Sequence, residues 1–167
     1  MQFSHNSIVL IHVFAAIIWL GGMFFIALVM VPVFRNLETP QRIQILSNIA
    51  RRFRVASWIA IPILLVTGVL NVLNHGVTLE MISNGSLFSS YFGKILTVKV
   101  ILVFIMLVLS AIHDFILGPR LIDLQSNGTS NPDSYLRIEK NRTYVSYLAR
   151  INALLGILVV ACATMLS

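Results

Sequence analysis

Charge and cysteine are what this 167-residue sequence has least of. Only 11% of its residues are Asp, Glu, Lys or Arg, against about 25% in an ordinary soluble domain, while 57% are hydrophobic. That balance excludes a water-soluble enzyme. The single cysteine, Cys162, has no second thiol to pair with and belongs to no Cys-based zinc pattern, which removes disulfide scaffolds and zinc fingers. The opening MQFSHNS carries no basic residue, and the apolar run after it is too long for a cleavable leader, so the first hydrophobic segment is expected to stay in the membrane. No soluble domain, long low-complexity tract or clear internal repeat is visible.

What the chain does have is four apolar stretches, each near the roughly 20 residues that a helix needs to cross a bilayer core. The expected fold is all-α: an integral membrane four-helix bundle forming one domain over residues 1–167, with spans at about 8–34, 55–73, 94–117 and 144–166. A net charge of +6 would suit a nucleic-acid partner, but the basic residues sit at membrane edges. Arg35, Arg42, Arg51, Arg52 and Arg54 follow span one, and Arg120, Arg137, Lys140 and Arg142 follow span three. Between spans two and three stands only Lys94, balanced by Glu80. The positive-inside rule therefore places both Arg-rich loops in the cytoplasm and the N- and C-termini outside. The expected partner is the lipid bilayer of a bacterial-type inner membrane, and no nucleic acid.

Local signals refine the spans. Asn6-Ser7 is read as the cap of span one, with Pro32 and Arg35 closing it. Thr39-Pro40 opens an amphipathic cytoplasmic helix, with Ile43, Leu46, Ile49, Ala50 and Phe53 on one face, that leads into span two. Pro62 is expected to kink that span, and Asn74-His75-Gly76 to end it. The segment 76–93 keeps Leu79, Met81, Ile82, Leu87 and Phe88 and is expected against the membrane surface. Gly118-Pro119 reads as the stop of span three, and residues 125–134 as an exposed loop. Tyr144 and Tyr147 mark the interfacial end of span four, while Gly21-Gly22 and Gly68 should allow close helix contact.

Ionisable and soft residues inside lipid are costly, so function is sought there. On span one, His5, His12, Trp19, Met23 and Met30 follow at steps of seven, seven, four and seven residues, which keeps them on one helical stripe. On span three, Lys99, Met106, Ser110 and His113 make a second stripe. Depth separates them: His12 lies about 13 Å and Lys99 about 10 Å outward of mid-span, whereas His113 lies about 10 Å inward. His12 and His113 are thus about 23 Å apart in depth and cannot share one ion. Two sites are expected, an outer one of His12, Lys99, His5 and His75 and an inner one of His113, Asp114 and Arg150, with Met23, Met30 and Met106 between. The plainer reading makes the methionines and Trp19 packing, His113-Asp114 with Arg150 an internal ion pair, and Arg51, Arg52 and Arg54 topology signals.

The stretch RRFRVASWIAIPILLVTGVL from Arg51 to Leu70, followed by Tyr91-Phe92-Gly93-Lys94 and Lys99, resembles the membrane domain of the copper resistance protein D (CopD) family. Ile11-His12-Val13 through Trp19-Leu20-Gly21-Gly22-Met23 is similar both to that group and to the HemJ-type protoporphyrinogen oxidases. The likeness covers spans one to three. CopD resemblance implies copper handling in the inner membrane, as uptake from the periplasmic side. Imidazole and thioether ligands at His12, Met23, Met106, His113, His5 and His75 suit Cu(I), and spaced weak sites suit conduction. Lys99, which repels a cation when protonated, stands against it. HemJ resemblance implies a haem b at His12 and Lys99, and a bis-histidine alternative pairs His12 with His75 or His5. The Arg-rich loop and His113-Asp114-Phe115 leading to Gly118-Pro119-Arg120 depart from the HemJ pattern. A third reading is a structural subunit of a membrane complex. Expected partners are a periplasmic copper-binding protein or redox partner, with a homo-oligomer as a further possibility.

Overall fold

With no water to receive backbone hydrogen bonds, apolar segments of this length have helix as their stable solution. The structure is a computed structural model that describes residues 2–120 and 132–166, and within them it contains no β-strand. Helix α1 opens at Gln2–Ala16 and continues as one rod through Ile17–Gly21, Gly22–Phe25, Ile26–Met30 and Val31–Val33. It begins ahead of Asn6-Ser7, which therefore lie inside the helix rather than capping it; contacts of His5 with Asn74 and His75 hold the extra turn.

Two stretches with wider, π-type turns stand just before prolines: Ile26–Met30 before Pro32, and Ile112–Leu117 before Pro119. A proline ring collides with the carbonyl four residues back and leaves it without a donor. In both cases that carbonyl, of Leu28 or Phe115, lies in the widened turn, which moves it aside. This corrects the expected stop of span three. Gly118 keeps right-handed helical angles, φ −60° and ψ −53°, and helix continues to Arg120.

Helix α2, Thr39–Asn74, is one continuous helix of 36 residues, about 54 Å along its axis. The amphipathic segment and span two are therefore one element, with Pro62 inside it. It ends where expected, His75 capping and Gly76 turning the chain at φ +80°. Two short helices follow, α3 (Leu79–Ser83), whose cap Thr78 accepts from the Met81 N–H, and α4 (Ser86–Ser89). Val77 and Leu87 tuck inward and anchor this segment. Helix α5 starts at Tyr91–Ala111, with Ser90 Oγ accepting from the Gly93 N–H at 3.0 Å, and continues through Ile112–Leu117. Helix α6 is Pro132–Thr164. The end of the expected 125–134 loop is thus helical from Pro132, and its earlier part lies outside the described residues.

Among the described residues, four segments are long and apolar enough to cross a membrane: His5–Val33, Gln44–Asn74, Tyr91–Arg120 and Thr143–Thr164. α1 packs mainly on α2 and α5 on α6. Their shared core is slim: Ala15, Trp19, Ala60, Ile61, Met106 and Val159. Large apolar side chains such as Phe14, Leu28, Val66, Phe104 and Leu154 face outward, as suits helices with lipid around them. The end carrying Arg54 and Gly118 is opposite the end where His5 meets His75.

The glycines divide by what they touch. A methyl group on Gly22 would enter the Phe53 ring of α2, whereas on Gly21 it would meet only Ile17 Cγ2 at 3.8 Å. Gly22→Ala is expected to lower stability by about 1–3 kcal/mol through overpacking, and Gly21→Ala to leave it unchanged or slightly raised. Thermal unfolding in detergent reads the difference. Gly93 is tighter still, since a Cβ there would run into the backbone carbonyl of Leu87, which cannot swing away. Gly85 has open space but φ +78°, so Gly85→Ala should cost only the left-handed penalty of about 1–2 kcal/mol and Gly93→Ala distinctly more.

Candidate functional site

Polar side chains of the four helices line up as a seam along the bundle. At the outermost tier, the His5 and His75 rings meet edge to face with centroids 6.0 Å apart, and Phe92 stacks on His75 at 5.7 Å. His75 Nδ1 lies 2.7 Å from the Asn71 carbonyl, an acceptor only, so this nitrogen donates and Nε2 keeps its lone pair. The Asn74 amide approaches His5 Nδ1 at 3.4 Å.

The next tier inward is built on His12 of α1 and Thr67 of α2, 2.8 Å apart. The Thr67 hydroxyl donates its one proton to the Ile63 carbonyl at 2.6 Å, so toward His12 it can only accept. That assigns the proton to His12 Nδ1 and again leaves Nε2 free. The imidazole edge rests on Gly68, whose Cβ would stand 3.6 Å from His12 Cε1, so this glycine seats a ring. Lys99 of α5 lies within electrostatic reach of His12, and Cys162 of α6 within reach of Lys99.

Mid-bundle, the thioether ends of Met23 and Met106 converge on Gly156 of α6, with Cε atoms 3.5 and 3.6 Å from the position of its missing Cβ. Met106 has no exposed surface. One turn further, Asn152 donates to Ser110 Oγ at 2.8 Å. Asn152 Oδ1 and Ser57 Oγ are buried there without a hydrogen-bond partner among the described residues.

The inner tier centres on Asp114. Its Oδ1 takes His113 Nδ1 at 3.0 Å and its Oδ2 takes the Trp58 indole N–H at 3.1 Å. A carboxylate accepting from Nδ1–H leaves the lone pair of His113 on Nε2, the arrangement that orients a metal-ligating histidine. Arg150 is exposed and takes no part among the described residues. The cation at this level is Arg54, whose guanidinium lies 5.7 Å from the Phe115 ring centroid, with Phe115 in turn 5.1 Å from Trp58.

The structure thus brings His5 to His75, sets His12 on Thr67 with Lys99 within electrostatic reach, gathers Met23 and Met106 at Gly156, and keeps His113 with Asp114 at the far end. Among the described residues no three His, Cys, Asp or Glu side chains converge, so a closed metal cage of those groups is absent from them. Asn71, Asn152 and Gly156 were not singled out in the sequence, and Trp58 and Thr67 stood there only within the stretch from Arg51 to Leu70 that resembles the CopD family. Their signal was there as four-residue steps, Thr67-Asn71-His75 on α2 and Asn152-Gly156 on α6, which keep polar or small residues on one face.

The copper resistance protein D (CopD) family matches residues 47–166. An uncharacterized protein of Aquifex aeolicus (strain VF5) is 25% identical over 162 residues, which cover 96% of this chain and 93% of that protein. No solved structure matches the chain. The HemJ resemblance of the first helix lies outside the matched residues and gains no support from them, and neither does a haem. Four membrane-capable helices, and a match running from within α2 to the end of α6, place this chain in the CopD copper resistance family of membrane proteins.

Proposed function

We propose that this protein passes copper ions through its bundle, capturing them at the His5–His75 end and releasing them at the Arg-rich end. In an inner membrane with that end in the cytoplasm, this is uptake. The observation that carries the reading is the way the imidazoles are held. His75, His12 and His113 each have Nδ1 engaged, by Asn71 carbonyl, Thr67 hydroxyl and Asp114 carboxylate, so each offers Nε2 to a ligand. Backbone or side-chain acceptors on the second ring nitrogen are what fix a histidine for metal binding.

The chemistry follows from the order of the donors. Imidazole at the mouth, thioether at the neck and imidazole at the exit form a set that favours Cu(I). Each position supplies one or two ligands, so an ion is held weakly and handed on, which conduction requires. His12 and His113 are too far apart in depth to exchange an ion directly, and Met23 and Met106 fill the gap between them. Lys99 beside His12 works against long residence of a cation at that tier.

Removing one donor tests the route. His12→Ala and Met106→Leu are each expected to cut copper accumulation in expressing cells several-fold at equal protein level. Met106→Leu is nearly volume-conserving and should cost under about 1.5 kcal/mol, so its effect reports transport and not folding. Normal accumulation in both variants would sink the route. Thr67→Val keeps the shape of the side chain and removes the acceptor for His12 Nδ1. It is expected to weaken copper binding about tenfold, and an unchanged affinity in competition titrations would show that His12 is not a ligand.

A further inference from the structure

Arg54 is an inner-tier cation that the transport reading does not use. It sits at the start of the apolar part of α2, level with the last turns of α5. Its Nε is covered from solvent yet has no hydrogen-bond acceptor among the described residues. Asp114 does not serve it among the described contacts, where its carboxylate accepts from His113 and from Trp58. The guanidinium lies over Phe115, and one of its Nη atoms is 3.5 Å from where a Gly118 Cβ would be. A guanidinium held between two helices by an aromatic face and a glycine, with its Nε–H unmatched among the described residues, has room for an acceptor beyond them.

We propose that Arg54 anchors the phosphate of a membrane phospholipid in the cleft between α2 and α5. Depth favours a lipid. The group stands where the Arg-rich first part of α2 gives way to its apolar part, the level of headgroups. Directly below it the same two helices present exposed apolar side chains for acyl chains: Val55 and Ile59 on α2, Phe115 and Ile116 on α5. Arg51, Arg52 and Arg120 are exposed around the site and make the local field positive, which selects anionic headgroups such as phosphatidylglycerol. The guanidinium fork matches two phosphate oxygens at once, which an ammonium does not.

The test is native mass spectrometry of the full chain in detergent, with phosphatidylglycerol or inorganic phosphate as probe. The wild type is expected to retain a phosphatidylglycerol adduct that excess inorganic phosphate does not displace. R54Q should lose the adduct by about fivefold or more, whereas R52Q, which removes an exposed charge nearby, should stay within about twofold. R54K, a gentler change if R54Q fails to fold, should retain the lipid about threefold less well than wild type. Equal loss in R54Q and R52Q would overturn the proposal by showing only diffuse charge attraction. So would absence of an adduct on the wild type, wild-type retention by R54K, or displacement by inorganic phosphate, which marks a free-anion site.

Discussion

A bilayer core supplies no water, so a polar group carried into it is costly unless it finds its partner within the protein. For the backbone this dictates helix, and the rest of the structure follows from how the side chains and the prolines meet the same demand. Pro32 and Pro119 each lie just beyond a widened turn that shifts the carbonyl they would strike. Among the side chains, Thr67 serves both Ile63 and His12, Asp114 serves both Trp58 and His113, and Asn152 serves Ser110. These shared partners draw the polar residues of separate helices into one seam and leave the outward faces apolar.

The same shortage of partners gives the seam its chemical character. A histidine whose Nδ1 proton is committed to an oxygen presents a lone pair at Nε2, and the hydrogen bonds that let imidazoles enter the bundle also poise them as ligands. Between the imidazole tiers the seam becomes sulfur, held against Gly156 in a part of the core with no exposed surface at Met106. Soft donors of low number at successive depths are a consistent set for a soft cation in transit. They do not make the closed cage of a structural metal.

Close packing here depends on absent atoms. Apolar attraction between helices is weak when lipid is as apolar as the helices, so association rests on close fit. Gly22 admits the Phe53 ring, Gly93 lets the Leu87 carbonyl lie on α5, Gly68 seats His12 and Gly156 receives the methionine ends. Gly21, beside Gly22 in sequence, faces none of this. A residue pair that looks uniform in the sequence therefore divides into one glycine that sets a helix contact and one that does not.

Composition and run length alone determined the class: four membrane helices, the Arg-rich ends, and the separation of His12 from His113, because rise per residue converts sequence distance to depth within a helix. Helical stripes likewise marked His12, Lys99, Met23, Met106 and His113. Only the tertiary structure decided who meets whom across helices. It gave Asp114 to Trp58 while Arg150 stayed exposed, set Arg54 of α2 on Phe115, and put Thr67 behind His12. Periodicity fixes a residue's face and depth on its own helix, whereas the rotation of one helix against another depends on small-residue contacts such as Gly22 with Phe53 and Gly156 with Met106, which no single segment encodes.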